Sequence, residues 1–277
     1  MKKILITGKN SYIGTSVENW LLREPENYTV DTLDMKNDSW REKDFSQYDV
    51  VFHVAGIAHI KETKSNQELY FTVNRDLAFE TAKKAKRDRV KQFIFLSSMS
   101  VYGIENGVIS KDTLLNPKSA YGKSKIEAEL LINAIKDRSF NVVILRPPMV
   151  YGKGCMGNYP RLAKLALKAP FFPKIDNRRS MIYIDNLSEF VKLSVDNESS
   201  GLFFPQNAEY VNTSELVRLI ANVHGKKIVL TKLFNPMLSL LKIRIINKVF
   251  GDLIYEMNIS TNINVVSLSE SILKTEK

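Results

Sequence analysis

Residues 1–14 constrain the fold more tightly than any other stretch. Lys2-Lys3-Ile4-Leu5-Ile6-Thr7 is a short apolar run without helical period, suited to a parallel strand buried on both faces. Gly8-Lys9-Asn10-Ser11-Tyr12-Ile13-Gly14 follows, then a helical pattern (Val17, Trp20, Leu21) that stops before Pro25. A glycine turn between a strand and a helix is a place to lay a pyrophosphate on the helix N-terminus, where N–H groups point outward and the dipole favours anions. The next strand, Tyr28–Asp34, ends in an acid 26 residues after Gly8. That is near the ~20-residue offset at which an acid takes ribose hydroxyls.

The alternation continues. Asp49–Val54 reads as a third strand ending in Ala55-Gly56, a helix covers about 65–87, and Lys91–Ser97 is a fourth strand. A helix begins near Ser119, and Asn141–Arg146 is a fifth strand closed by Pro147-Pro148. Apolar strands alternating with helices predict an α/β fold built on a doubly wound parallel sheet, with ligands outside the strands' carboxyl ends. Asp34, Ala55-Gly56, Ser97 and Ser98 all fall at such ends. After Pro148 the rhythm loosens into Gly152, Gly154 and Gly157, a basic helix around 160–168, then Pro170 and Pro173. Ile182–Asn186 opens another helix, Gly201–Phe204 reads as a strand, and Thr213-Ser214-Glu215 as the cap of a helix to about 223. The expected organisation is a sheet domain over 1–150, rejoined by 181–205, with a smaller C-terminal lobe from 151–180 and 206–277.

The 277 residues suffice for one substantial core or a main domain with a smaller one. A single cysteine, Cys155, points to a reducing compartment. Only Ile4-Leu5-Ile6 follows Lys2-Lys3 before Thr7-Gly8, too short for a signal peptide, and no run of about 18 apolar residues occurs. A cytoplasmic protein without an integral membrane span is therefore expected. The net charge of +10 is widely spread, with one concentration between Lys226 and Gly251 that contains no acid. Its apolar interleaving, as in Met237-Leu238-Ser239-Leu240-Leu241, suits either a basic amphipathic surface helix or a covering helix over an anionic substrate, the plainer reading. No zinc-ligand spacing or RNA-binding signature is present, so neither a metal nor nucleic acid is expected.

Chemistry concentrates in Ser119-Ala120-Tyr121-Gly122-Lys123-Ser124-Lys125-Ile126-Glu127-Ala128-Glu129, the start of a helix with apolar positions at Ile126, Leu130, Leu131 and Ile135. Tyr121 and Lys125 share one helix face, and a cation beside a phenol lowers the cost of its phenolate. Alone, Tyr-x-x-x-Lys is also an ordinary surface pair, and Ser98 could be a polar strand end satisfying backbone. His53 and His59 read as positional, since no third partner for nucleophilic catalysis accompanies them.

Together these motifs resemble one family, the extended short-chain dehydrogenases/reductases, in particular the nucleotide-sugar epimerase/dehydratase group. The resemblance spans about 1–205. It rests on Thr7-Gly8-x-x-Ser11-x-x-Gly14, Asp34, Ser97–Gly103, Tyr121-x-x-x-Lys125 and Arg146-Pro147-Pro148-Met149-Val150-Tyr151-Gly152. It implies a Rossmann sheet, NAD as cofactor, a UDP-sugar substrate, and a catalytic triad of Ser98, Tyr121 and Lys125. Cofactor contacts are implied for Gly8, Ser11, Tyr12, Ile13 and Gly14 in the turn and for Asp34 on the ribose. Ala55, Gly56 and Pro148 are also implied, as are Asn74, the helix asparagine near the triad, and Tyr121 and Lys125. Substrate contacts are implied for Ser98, Asn158, Arg161 and Arg179, the last gripping the diphosphate. A homodimer is left open as the assembly.

Four departures from the family pattern bear on substrate. The middle glycine of the turn is Ser11. The Asp-Glu pair that 4,6-dehydratases carry after the catalytic Ser/Thr is Met99-Ser100, which argues against dehydration. Met149 replaces the asparagine of many epimerases, and no second diphosphate arginine is evident near the C-terminus. The pattern is similar to a bacterial branch making surface polysaccharides. The implied activity is hydride transfer at C4 of a UDP-hexose through a 4-keto sugar, as a 4-epimerase. A UDP-4-keto-6-deoxy-N-acetylhexose 4-reductase is the alternative, and a non-catalytic dinucleotide-binding regulator the reading from a different class.

Overall fold

Six parallel strands form the central sheet in the computed structural model, which describes residues 1–58, 60–233, 235, 249–263 and 265–277. They are β1 (Lys2–Thr7), β2 (Tyr28–Leu33), β3 (Val50–His53), β4 (Gln92–Leu96), β5 (Asn141–Leu145) and β6 (Gly201–Phe203). Their order is β2-β1-β3-β4-β5-β6. The parallel pairing and flanking helices are the expected doubly wound sheet. Every residue of β3 and β4 is buried, so these strands read as continuous apolar runs, whereas β2 at the edge alternates.

Register aligns the strand ends: Thr7 pairs with Leu33 on one side and His53 on the other, His53 with Phe95, and Leu96 with Leu145. The chain leaves β1 towards β2 and returns across it to β3, so the winding reverses beside β1, where sheets of this class bind ligands. One side of the sheet packs Leu5, Val51, Phe93, Phe95 and Ile144 with Trp40, Phe45 and Phe140. Helix α2 (Leu77–Arg87) meets them through Ala78, Ala82 and Ala85, and helix α3 (Ala120–Ala134) through Ala128 and Ile132. Small residues let the helices approach, and each buried Phe or Ile contributes roughly 1.5–3 kcal/mol. The helix expected over 65–87 contains a π-turn at Phe71–Asp76 between Gln67–Tyr70 and α2.

The expected apolar stripe of α3 is not the buried one. Leu130 and Leu131 are exposed, and the buried face is Ala120, Gly122, Ser124, Lys125, Ala128, Glu129 and Ile132. This helix turns Ser124, Lys125 and Glu129 inward among mostly small apolar residues because these three side chains have partners there.

The chain divides into one unit of residues 1–103, 115–147 and 187–205 and another of 104–114, 148–186 and 206–277. The boundaries differ from those expected because short strands pair within the second unit. Gly107–Ile109 pairs with Leu253–Tyr255, and Met149–Tyr151 with Met181–Tyr183. Phe171–Pro173 pairs likewise with Val229–Thr231. Asn212, and not Thr213, caps the helix Thr213–Val223, accepting from the Glu215 N–H at 3.1 Å. Met237–Leu241, Lys242, Arg244 and Lys248 of the basic segment lie outside the described residues, as does His59. No helix among the described residues is long and apolar enough to cross a membrane.

Candidate active site

At the end of β1 the chain turns through Gly8, whose φ of +101° favours glycine and whose position admits no side chain: a Cβ there would lie 2.9 Å from the Ala55 nitrogen. Gly8 and Lys9 N–H donate to the Leu33 carbonyl at 2.9 and 3.1 Å, which holds the turn beside the end of β2 and Asp34. Ser11 then caps helix α1 (Tyr12–Leu21), its Oγ accepting from Gly14 N–H at 3.2 Å. Ser11 thus fills the cap that its hydroxyl suits, and the first-turn N–H groups of Tyr12 and Ile13 lead the helix. Gly14 is buried against Ile6, 3.3 Å from where a Cβ would stand. Asp34 is exposed, with Oδ1 accepting the Lys36 N–H at 3.0 Å. This cradle of glycine turn, helix N-terminus and strand-end acid suits a dinucleotide: backbone donors for a diphosphate and a carboxylate for a ribose.

Two strands further on, β4 runs out into Ser97 and Ser98. Ser98 caps a tight 3₁₀ turn, Met99–Tyr102, by accepting from Ser100 N–H at 3.1 Å, and its hydroxyl faces the Ser100 hydroxyl at 3.1 Å. The start of α3 is set against this turn. Ser119 caps the helix through Gly122 N–H at 3.1 Å, and a Cβ on Gly122 would stand 2.7 Å from the Ser100 carbonyl oxygen. Glycine beside Tyr121 therefore lets the helix come close to the turn that Ser98 caps. Burial pushes the Tyr121 phenol above its usual range, with the Ser98 hydroxyl pulling against it. Lys125 is 5% exposed; its Nζ donates to the Leu96 carbonyl at 2.8 Å and lies 4.8 Å from the Phe95 ring centroid. Burial draws the ammonium down to about 8, with Glu129 opposing. The expected lowering of Tyr121 by Lys125 is thus not what dominates here: the ammonium is engaged with the end of β4, and desolvation prevails at the phenol.

Residues 4–203 match the model of the NAD dependent epimerase/dehydratase family. The chain belongs to that family. It is 30% identical over 246 residues to a UDP-glucose 4-epimerase of Vibrio cholerae, covering 79% of this chain and 75% of that one. It is 26% identical to an N-acetyl-alpha-D-glucosaminyl-diphospho-ditrans,octacis-undecaprenol 4-epimerase of Escherichia coli O157:H7, over 81% of this chain and 73% of the relative. Its fold superposes on the UDP-glucuronic acid 4-epimerase of Bacillus cereus with a TM-score of 0.76 over 99% of this chain and 97% of that one, at 22% identity. The chain is an enzyme of this family with NAD as cofactor.

Behind the family's motifs lies a buried network that sequence reasoning passed over. Glu129, four residues beyond Lys125, takes Arg146 through Nε at 3.1 Å to both oxygens and through Nη2 at 2.6 Å. Ser97 Oγ donates to the same carboxylate, and Arg146 Nη1 donates to the Tyr102 hydroxyl at 2.8 Å. One carboxylate thereby ties α3 to the end of β4, beside Ser98, and to the end of β5. Asn74, expected among the cofactor contacts, is fully buried in the π-turn. Its amide accepts from Ile57 N–H at 2.8 Å and donates to the Ile57 carbonyl at 3.1 Å and Ser124 Oγ at 3.3 Å. It anchors the loop after Ala55-Gly56, where a Cβ on Gly56 would stand 2.9 Å from Asn74 Oδ1 and 3.5 Å from Lys125 Nζ. His53 pairs with Thr7 Oγ1 at 2.8 Å and stacks on Phe93 and Phe95, and burial lowers its pKa to about 3, so it is neutral.

The remaining site candidates belong to the second unit. Pro148 is buried at the start of the 148–186 segment, and Asn158 and Arg161 are exposed on the first turn of the helix Asn158–Lys168. Arg179 is held by backbone bonds to Val211 at 2.9 Å in both directions, and its Nη1 donates to the Gly251 carbonyl at 2.9 Å. Burial draws its guanidinium below the usual range, with Asp252 opposing. The structure thus brings Ser98, Tyr121, Lys125 and the glycine-turn residues onto one edge of one sheet. The lone clue to the Glu129–Arg146 network was the four-residue step from Lys125 to Glu129.

Proposed function

We propose that this enzyme works at C4 of a UDP-hexose, removing and returning hydrogen there through a 4-keto sugar, as a 4-epimerase in surface-polysaccharide sugar supply. The observation that carries the reading is the approach of the Tyr121 helix turn to the Ser98 turn at the end of β4, set by Gly122, with Lys125 one turn along the same helix. NAD, when bound, accepts and returns a hydride. The chain's own residues handle the proton and the geometry. Ser98 holds the C4 oxygen, and Tyr121 exchanges its proton, as acid when the ketone is reduced and as base when the alcohol is oxidised. Burial favours the neutral phenol, so the base role calls on the Lys125 cation to offset desolvation. Gly8, Ser11, Tyr12, Ile13, Gly14 and Asp34 would hold the dinucleotide, with Ala55, Gly56 and Pro148 alongside. Asn158, Arg161 and Arg179 would take the sugar nucleotide, the guanidinium of Arg179 as a diphosphate ligand. Met99-Ser100 supplies no acid to expel a C6 hydroxyl, which favours epimerisation over dehydration.

The test is to denature the purified protein, identify any released nucleotide, and assay interconversion of UDP-glucose with UDP-galactose and of their N-acetyl forms. Epimerase action gives NAD near one per chain and interconversion without added cofactor. Consumption of NADH or NADPH with a UDP-4-keto-6-deoxy sugar, and no interconversion, would assign the 4-reductase instead. Cofactor binding with neither turnover would leave a regulator.

A further inference from the structure

Within the second unit exposed apolar side chains adjoin a predominantly basic stretch of surface. In the parallel pair Phe171–Pro173 with Val229–Thr231, Phe171 and Val229 are register partners and so share a face. They are 55% and 53% exposed, while Phe172 on the opposite face is buried. Leu233 is 80% exposed two residues past that pair, and Leu165 is 44% exposed on the neighbouring helix. The pieces are contiguous: Val229 N–H donates to the Pro170 carbonyl at 3.0 Å and Lys226 Nζ to the Leu167 carbonyl at 2.6 Å. Residues 161–175 and 222–235 contain seven Lys or Arg and no Asp or Glu. Lys164, Lys168, Lys226 and Lys227 are among them, all exposed. Glu215, on the helix that follows, is taken by Arg218 at 2.6 Å.

Scattered exposed leucines need no explanation, but exposed apolar tips among seven cations, with the neighbouring acids Asp176 exposed beyond Ile175 and Glu276 held by His224 at 2.8 Å, do. We propose that this face docks the enzyme on the surface of an anionic bilayer. Lysines meet lipid phosphates while Phe171, Val229, Leu165 and Leu233 enter the headgroup–acyl boundary. A nucleic-acid surface would call for aromatic platforms among the cations, and here three of the four apolar tips are aliphatic. The inference stands apart from the sugar the enzyme acts on.

Vesicle co-sedimentation of the whole chain tests it. Binding is expected to phosphatidylcholine vesicles containing phosphatidylglycerol and not to pure phosphatidylcholine, weakening as NaCl rises from about 0.1 M to about 0.5 M. Lys168→Glu with Lys227→Glu lowers partitioning by roughly tenfold or more. Phe171→Ser with Val229→Ser lowers it several-fold with every charge kept. Both variants keep turnover of a water-soluble substrate and an unchanged melting temperature. Three results would overturn the proposal: no vesicle binding by the wild type, vesicle binding untouched in the Phe171/Val229 variant, or tighter binding of polyuridylate than of vesicles through the same lysines. A concentration-dependent dimer dissolved by Phe171→Ser would also overturn it, assigning the face to a second copy of the chain.

Discussion

β4 in the first unit buries all five of its residues, whereas the strand Phe171–Pro173 in the second buries only Phe172. The first unit is held by apolar strands stacked in register under alanine-lined helices, with a hydrogen-bonded polar network around Glu129 at the sheet's edge. The second unit is tied by side chains bonding to distant backbone. Asn212 Nδ2 donates to the carbonyls of Ile175 and Asn177 at 2.9 and 3.1 Å. Asn177 Oδ1 accepts the Thr213 N–H at 2.9 Å, and Ser214 Oγ donates to the Pro173 carbonyl at 2.8 Å. Hydrophobic register tolerates change on the solvent side and fixes strand ends accurately; a net of single hydrogen bonds holds short elements that could not fold alone. Chemistry that needs groups placed to a fraction of an ångström is better built on the first kind of support.

The sharpest test of that assignment is Tyr121→Phe, which removes one oxygen from the rigid edge and keeps the ring that packs edge-on to Tyr70 at 6.4 Å. Turnover of the matching UDP-sugar should fall by roughly 10²–10⁴, the usual contribution of a positioned acid–base, with NAD affinity nearly unchanged. A variant keeping more than about a tenth of the wild-type rate, well above that contribution, would sink the proton role of Tyr121 and leave the fold untouched.

Next in size is the buried carboxylate. Glu129 is 3% and Arg146 6% exposed. Glu129→Ala strands a buried guanidinium and should cost about 3–5 kcal/mol in urea unfolding, whereas Glu129→Ala with Arg146→Met should recover much of the loss. Equal losses in the single and double variants would mean that the pair is not coupled, and that the first unit does not rest on a satisfied polar edge.

These two residues also mark where reading the sequence stops. β1, β3, β4 and β5 were legible because strands buried on both faces leave an unbroken apolar run; Ser98, Tyr121 and Lys125 were singled out by the family resemblance, since Tyr-x-x-x-Lys alone is also an ordinary surface pair. The inward face of α3 was not legible. Periodicity selects Leu130 and Leu131 as core, and they are exposed because Lys125 and Glu129 have partners on other elements that spacing cannot reveal. Asn74 was singled out by the family resemblance alone, and its bonds to Ile57 depend on a π-turn that no local pattern signals. In the second unit three-residue strands fall below any period, so Gly107–Ile109 and Leu253–Tyr255 found each other only in the structure.

A smaller effect concerns acid. His53 is neutral in the fold, its pKa lowered by burial to about 3 from 6.5. The unfolded chain therefore binds a proton that the folded chain refuses. The stabilisation is complete above pH 6.5 and is lost as pH falls from there towards 3, amounting to roughly 2–3 kcal/mol between pH 7 and about pH 4.5. Carboxylates add acid sensitivity of their own, so the measurement is a difference: the urea midpoint should drop less over that range in His53→Gln than in wild type. Parallel curves would show that His53 takes up its proton without unfolding, and that the strand edge is wetter than its packing indicates.

The smallest effect probes the second unit directly. Asn212 does two jobs, its Oδ1 capping the helix Thr213–Val223 and its Nδ2 bonding the Ile175 and Asn177 carbonyls. Loss of a cap alone costs about 1 kcal/mol. Asn212→Ala removes both jobs and should cost about 2 kcal/mol, since each net hydrogen bond adds roughly 0.5–1.5 kcal/mol. Asn212→Asp keeps an acceptor for Glu215 N–H and a favourable charge at the helix N-terminus, but turns a second oxygen towards two carbonyls. If side-chain bonds to distant backbone hold this unit, Asp should rescue little of the loss. Full rescue by Asp would reduce Asn212 to an ordinary cap, and the support of the second unit would then have to be sought in its buried residues, such as Val217, Ile220 and Phe172.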